Sequence, residues 1–125
     1  MGGGGTLLAA NSTPGLKGAV AFAPWVAGTP ISADRVPSAI VGGASDNVAP
    51  PASHATPLYN SIPASTPKLL GIIAGASHFF PTTASQPASY TSIAWMKRFV
   101  DNDTRYSGFL NGDAAYSSFT SNGPF

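Results

Sequence analysis

Cysteine and glutamate are both missing from this sequence. Without cysteine there can be no disulfide, no thiol nucleophile and no thiolate metal site. Without glutamate, the side-chain carboxylates are confined to five aspartates. Charge of either sign is scarce: 9% of residues are charged, against about a quarter in an ordinary soluble domain, and the formal net charge is +1. That balance gives no basis for binding nucleic acid or an anionic membrane surface. No apolar run approaches the length that spans a bilayer, and no signal peptide is visible. What the chain does have is 43% hydrophobic residues over 125 positions, enough for a core in one domain or part of one. Its 14 glycines and 12 prolines are spread between apolar runs, which implies many turns rather than disorder.

The amino-terminal stretch Met1-Gly2-Gly3-Gly4-Gly5-Thr6-Leu7-Leu8-Ala9-Ala10 runs a glycine cluster into a small, apolar, helix-forming segment. Such clusters act as flexible linkers, and composition alone leaves that reading open. They also occur where a backbone turns sharply or packs tightly beneath a helix start. A phosphate-binding loop is disfavoured, because no Gly-Lys-Ser/Thr follows. In a nucleophile elbow of the form Gly-x-Ser-x-Gly, the residue after the serine offers its backbone N–H to an oxyanion and a glycine comes next. Met1 and Gly2 fit those two last places, which would put the serine immediately before Met1.

Apolar patterning then alternates between strand and helix. Gly4 to Ala10 reads as a short helix, stopped by Asn11-Ser12-Thr13-Pro14-Gly15. Lys17 to Ala23, Val36 to Gly43 and Lys68 to Ala74 are continuous apolar runs of strand length, the kind found in buried parallel sheets. Ser53 to Ser61 reads as a helix. Ser89 to Val100 reads as an amphipathic helix with Ile93, Trp95, Met96, Phe99 and Val100 on its apolar side. The tail from Asp101 to Phe125 is polar and aromatic and reads as irregular. Strands alternating with helices predict an α/β fold with about three parallel strands and right-handed crossovers. Loops beyond the carboxyl ends of such strands carry active-site residues. Asp46 and His78 stand in two such loops, and Trp25 follows the strand before them.

A histidine base needs a carboxylate to fix its tautomer and to stabilise the imidazolium. Asp46 is a lone acid in Gly-Gly-Ala-Ser-Asp-Asn-Val-Ala-Pro, and His78 is a lone imidazole in Ala-Gly-Ala-Ser-His-Phe-Phe-Pro. The order nucleophile, acid, histidine is that of the α/β-hydrolases. A loop-capping aspartate and a structural histidine are the alternative. His54 sits at a helix start and reads as solvated. Ser45 and Ser77 adjoin the pair, but no elbow surrounds either.

Several stretches resemble the bacterial polyester hydrolases, the cutinase and PET-hydrolase family of α/β-hydrolases. Met1-Gly2-Gly3-Gly4-Gly5 is similar to the end of that family's elbow. Ala23-Pro24-Trp25 is similar to its aromatic clamp, Val36-Pro37 leading to Asp46-Asn47-Val48-Ala49-Pro50 to its acid loop, and Gly75-Ala76-Ser77-His78-Phe79 to its histidine loop. Ala94 to Tyr106 (Ala-Trp-Met-Lys-Arg-Phe-Val-Asp-Asn-Asp-Thr-Arg-Tyr) resembles its final-helix signature. The resemblance implies the carboxyl-terminal half of an α/β-hydrolase: residues 1–125 as a partial domain, with 101–125 as a tail packed on it. It implies a serine esterase mechanism in which Asp46 orients His78, His78 moves the serine proton, and Met1 gives an oxyanion N–H and lines the acyl site. Trp25 would stack on an aromatic acid ring and Val48 would wall the same cleft, while Trp95 belongs to the core.

The resemblance further implies an ester or polyester substrate with aromatic or aliphatic acyl groups, action outside the cell, no cofactor and no membrane span. Two family features find no counterpart. Asn111 and Gly123 stand at the places of the family's disulfide. Ala44 and Ala74 stand at two calcium-ligand positions, so no metal site is expected. With the serine position outside the chain, these residues alone are expected to be inactive. The strand at Lys17–Ala23 would lack a neighbour, which favours self-association through the sheet edge or pairing with a complementary half. The other class of reading is a non-catalytic module that binds aromatic groups.

Overall fold

The computed structural model describes residues 1–28 and 30–125. Four strands make one sheet in the order β1 (Ala19–Phe22), β2 (Ser38–Gly43), β3 (Lys68–Ile73), β4 (Tyr116–Ser121). The first three are parallel, and β4 runs antiparallel on β3. Both β2 and β3 are buried along their whole length, as expected of strands covered on both faces.

One face of the sheet is covered by α1 (Gly2–Ser12) and α2 (Ala55–Ser61). There Leu7, Ala21, Ile40, Leu58, Ile62 and Leu70 belong to one buried apolar cluster. The other face is covered by α3 (Gln86–Phe99) and a 3-10 helix at Thr104–Leu110. Trp95 is its anchor, fully buried against Ala39, Leu69 and Leu110. Its indole N–H donates to the Pro37 carbonyl at 3.1 Å, and its ring lies 4.4 Å from Phe99 and 5.1 Å from Phe125. Replacing so packed an indole with alanine typically costs about 3–5 kcal/mol. Lys68 is also buried. Its amine donates to the Tyr59 and Ile62 carbonyls at 3.0 and 2.7 Å, closing the end of α2, and burial pushes its pKa down.

The glycine run is helical throughout. A Cβ on Gly3 would lie 2.1 Å from the Phe22 carbonyl oxygen, and one on Gly4 would lie 2.0 Å from that of Trp25. The run is therefore a close helix-on-strand contact rather than a linker. Four glycines each weaken a helix by up to about 1 kcal/mol against alanine, so α1 is held by packing rather than by propensity.

Two expectations need correction. The tail is not irregular: it forms the 3-10 helix and then β4, whose residues alternate poorly because only Tyr116 and Phe119 turn inward. The outer edge of β3 supplies the hydrogen-bonding template that the sequence pattern did not show. The buried face of α3 is carried by Ala88, Thr91, Ala94 and Trp95, while Ile93, Met96 and Val100 are exposed. Small residues let the helix sit close to the sheet, and the larger apolar residues end up on its flanks.

Candidate active site

The acid loop and the histidine loop leave the carboxyl ends of β2 and β3, which are paired in register up to Gly43 and Ile73. Backbone bonds continue past the strands: Ala44 N–H donates to the Ile73 carbonyl and Ser45 N–H to that of Ala76, both at 2.9 Å. Gly43 permits this approach, since a Cβ there would lie 2.3 Å from the Ala76 oxygen. Gly75 turns the chain with φ +66°, in the left-handed region. Clamped in this way, the two loops bring Asp46 and His78 together. Asp46 Oδ2 lies 2.8 Å from His78 Nδ1.

Asp46 is buried and His78 is partly open, with 19% of its side chain exposed. Burial pushes the Asp46 carboxyl up. The N–H of Ala49, the His78 ring and the N–H of Val48 together outweigh it and hold the carboxyl below its ordinary value. Both amides converge on Oδ1, at 2.7 Å from Ala49 and 2.9 Å from Val48, which leaves Oδ2 for the imidazole. A carboxylate fixed in this way favours the tautomer with the proton on Nδ1 and leaves Nε2 as a proton acceptor. Among the described residues, none hydrogen-bonds His78 Nε2.

His78 opens onto a cavity of about 480 Å³ that Met1, Gly2, Gly3, Thr6, Val20 and Phe22 also line. The first turn of α1 forms part of this wall, and the amino end of a helix favours negative charge nearby. The hydroxyls of Thr6 and Thr82, also on the wall, are engaged with the carbonyls of Gly2 and Phe79. That of Ser77 accepts from the Phe79 N–H.

Met1 and His78 thus share one cavity, and Asp46 is in contact with His78. Trp25 and Val48 are not among the residues that line that cavity. Trp25 is 42% exposed, with its ring 6.0 Å from that of His54. His54, read as solvated, is the partly buried residue at the start of α2 and packs on that indole. Val48 is exposed and contributes its N–H to Asp46. Sequence reasoning missed Phe22 and Phe79 as cavity residues. Phe79 stands edge-on to His78 at 5.6 Å and is 63% exposed. An unusually exposed aromatic next to a loop histidine is a signal the sequence carries only in part, because exposure is a property of the fold. Among the described residues, no cluster of three or more potential metal ligands occurs, and no helix is long and apolar enough to cross a membrane.

Comparison with known proteins extends this picture. A PET hydrolase-like family profile matches residues 1–122. Over 110 residues, 88% of this chain, the sequence is 47% identical to Cutinase 1 of Thermobifida cellulosilytica and covers 42% of that protein's length. It is 44% identical over the same span to the bis(hydroxyethyl) terephthalate hydrolase of Streptomyces coelicolor, of which it covers 36%. The chain therefore spans well under half the length of these relatives and matches their carboxyl-terminal part.

Proposed function

The chain belongs to the PET hydrolase-like family, and from that premise we propose that it provides the acid, the base and one oxyanion donor of a serine ester hydrolase acting on polyester or related esters. The observation that carries this reading is the 2.8 Å contact between Asp46 and His78 beside a cavity that also receives Met1. Asp46 holds the Nδ1 proton. His78 Nε2 takes the proton of an attacking serine hydroxyl and later delivers it to the leaving alcohol. Water then enters by the same route, and the serine is restored with release of the acid. The backbone N–H of Met1, at the start of α1, faces the oxyanion of each tetrahedral intermediate. Trp25 is assigned to stacking on an aromatic acyl group at the mouth of the site, and Val48 to its apolar rim. Action outside the cell follows from the same resemblance.

The nucleophilic serine is not one of the residues on the cavity wall, so the isolated 125-residue chain is expected to show no turnover of p-nitrophenyl butyrate above buffer. The test is a chimera in which residues 1–125 replace the matching part of the Thermobifida cellulosilytica cutinase. It should hydrolyse p-nitrophenyl butyrate, and His78→Ala should lower kcat roughly 10⁴-fold or more. A folded, active chimera indifferent to His78→Ala would overturn the assignment.

A further inference from the structure

The sequence holds two Asn-Gly steps, Asn111-Gly112 and Asn122-Gly123. Both asparagines lie at the surface, yet the fold treats their carboxamides differently. That of Asn122 is held at three points. Its oxygen accepts the Lys68 N–H at 2.8 Å, and its NH₂ donates to the Ala64 and Thr66 carbonyls at 2.9 and 2.8 Å. That of Asn111 makes one contact, a donation to the Gly108 carbonyl at 3.1 Å. Among the described residues, no donor reaches its oxygen and no acceptor takes the Gly112 N–H. The bend lies between the 3-10 helix that ends at Leu110 and β4, which starts at Tyr116, so neither element holds its backbone.

An asparagine followed by glycine is chemically labile, because the next residue carries no Cβ to keep its own nitrogen away from the carboxamide. We propose that Asn111 is a site of spontaneous deamidation and isoaspartate formation, with water as the co-reactant. The Gly112 nitrogen, having lost its proton to hydroxide, attacks the Asn111 Cγ. The N–Cγ bond forms and the Cγ–Nδ2 bond breaks. Ammonia leaves with a proton taken from water, which regenerates the hydroxide, and a five-membered succinimide remains. Water then opens the ring at either carbonyl. Cleavage of the N–Cγ bond gives aspartate. Cleavage between the Asn111 main-chain carbonyl and the Gly112 nitrogen gives isoaspartate, with the main chain rerouted through Cγ. Ring closure needs the Asn111 ψ turned away from its resting −2°, so it proceeds from an opened form of the bend. One side-chain hydrogen bond opposes that opening at Asn111, against three at Asn122.

Isoaspartate adds one methylene to the main chain directly before Gly112. That glycine has no room to move toward β4. Its φ is +74°, and a Cβ on it would lie 2.6 Å from the Phe119 ring. Phe119 in turn packs in the Trp95 cluster and edge-on to Tyr116 at 5.2 Å. The isoaspartate lesion therefore bears on the packing of β4. Aspartate at 111 keeps the backbone and changes charge, taking the formal net charge from +1 to zero. This chemistry is independent of any esterase activity.

The test holds the full 125-residue chain in mildly alkaline buffer, digests samples over time with the protease Asp-N and weighs the fragments. Asp-N cuts before Asp103 and Asp113, so residues 103–112 and 113–125 separate, each with one Asn-Gly step. Fragment 103–112 should gain the mass of an NH₂-to-OH exchange at least about tenfold faster than 113–125, since freeing Asn122 breaks three hydrogen bonds. Most of the product should resist Asp-N before position 111 and accept label from an isoaspartyl methyltransferase, which marks it as isoaspartate. In concentrated urea the two fragments should gain mass at similar rates. Asn111→Gln, which can close only a less favoured six-membered ring, should remove the fast change. Matched rates in the folded chain, or a rate difference that survives urea, would overturn the proposal. The aged, charge-shifted fraction should melt below the parent, while Asn111→Asp melts close to it. An isoaspartate-rich fraction that melts with the parent would overturn the link to β4.

Discussion

Asp46 spends its two oxygens on different tasks, and this fixes how the pair should respond to substitution and to pH. Oδ1 takes the amides of Val48 and Ala49, so it holds the loop, while Oδ2 takes the imidazole. In wild-type protein, ¹⁵N spectra should show the His78 proton on Nδ1, and in Asp46→Asn that preference should vanish, because an amide can present its NH₂ rather than an acceptor. The carboxyl is held below its ordinary value of 3.8. Its contribution to stability is therefore fully present above the unfolded value and is lost as pH falls through the lower, folded one. Urea titrations of wild type and Asp46→Asn should differ by about 1–3 kcal/mol at neutral pH. The gap should hold down to about the ordinary carboxylate value and close only below it. A gap that closes well above pH 4 would mean that the carboxylate is not stabilised as its hydrogen bonds imply.

At the scale of the element, α1 separates two kinds of glycine that the sequence presents as equivalent. Gly4 faces backbone: a Cβ there would meet the Trp25 oxygen at 2.0 Å and the Val26 methyl at 2.8 Å. Gly5 faces open space. Gly4→Ala should therefore destabilise the fold by about 2 kcal/mol or more, through forced separation of α1 from the Trp25–Val26 segment that follows β1. Gly5→Ala should stabilise it by roughly 0.5–1 kcal/mol through helix propensity and a less mobile unfolded chain. Denaturation midpoints moving in the same direction for both would contradict the packing of α1. The contrast also shows what could be read in advance. Ser-Ala-Ile-Val-Gly-Gly and Lys-Leu-Leu-Gly-Ile-Ile are apolar on both faces, so β2, β3 and the loops that carry Asp46 and His78 were legible from residue type alone. β4 was not, because Tyr-Ser-Ser-Phe-Thr-Ser half-buries only two positions in six and becomes a strand only against an edge already in place. For α3 the large apolar residues were the wrong guide, since its contact with the sheet is made by Ala88, Thr91 and Ala94 around a single Trp95. Trp25 and Val48 were placed on the cleft by likeness to a family pattern, and the direction in which a loop side chain points is settled by tertiary contacts that no local pattern encodes.

The molecule as a whole is a sheet edged by β1 on one side and by the antiparallel β4 on the other, and its behaviour in solution should depend on β4. β4 is fastened beyond its last residue. Asn122 accepts from the Lys68 N–H at 2.8 Å and donates to the carbonyls of Ala64 and Thr66 at 2.9 and 2.8 Å. Phe119 and Phe125 then pack against the cluster around Trp95. Ending the chain after Gly112 would make the apolar β3 an edge strand in place of the more polar β4 and open the Trp95 cluster to water. It would also remove Asp113 and no cation, changing the formal charge from 6 − 5 = +1 to 6 − 4 = +2, too little to keep such surfaces apart. The 1–112 protein should therefore aggregate at micromolar concentration, with light scattering that rises further in added salt, since apolar and strand-edge contacts are not screened as charge pairs are. Asn122→Ala tests the same account more gently. It loses three hydrogen bonds but keeps β4 and both phenylalanines, so it should melt lower, by a free energy of about 1–3 kcal/mol, yet remain as soluble as the parent chain. A 1–112 protein that stays monomeric, with an unchanged melting temperature, would show that β4 is not what shields β3.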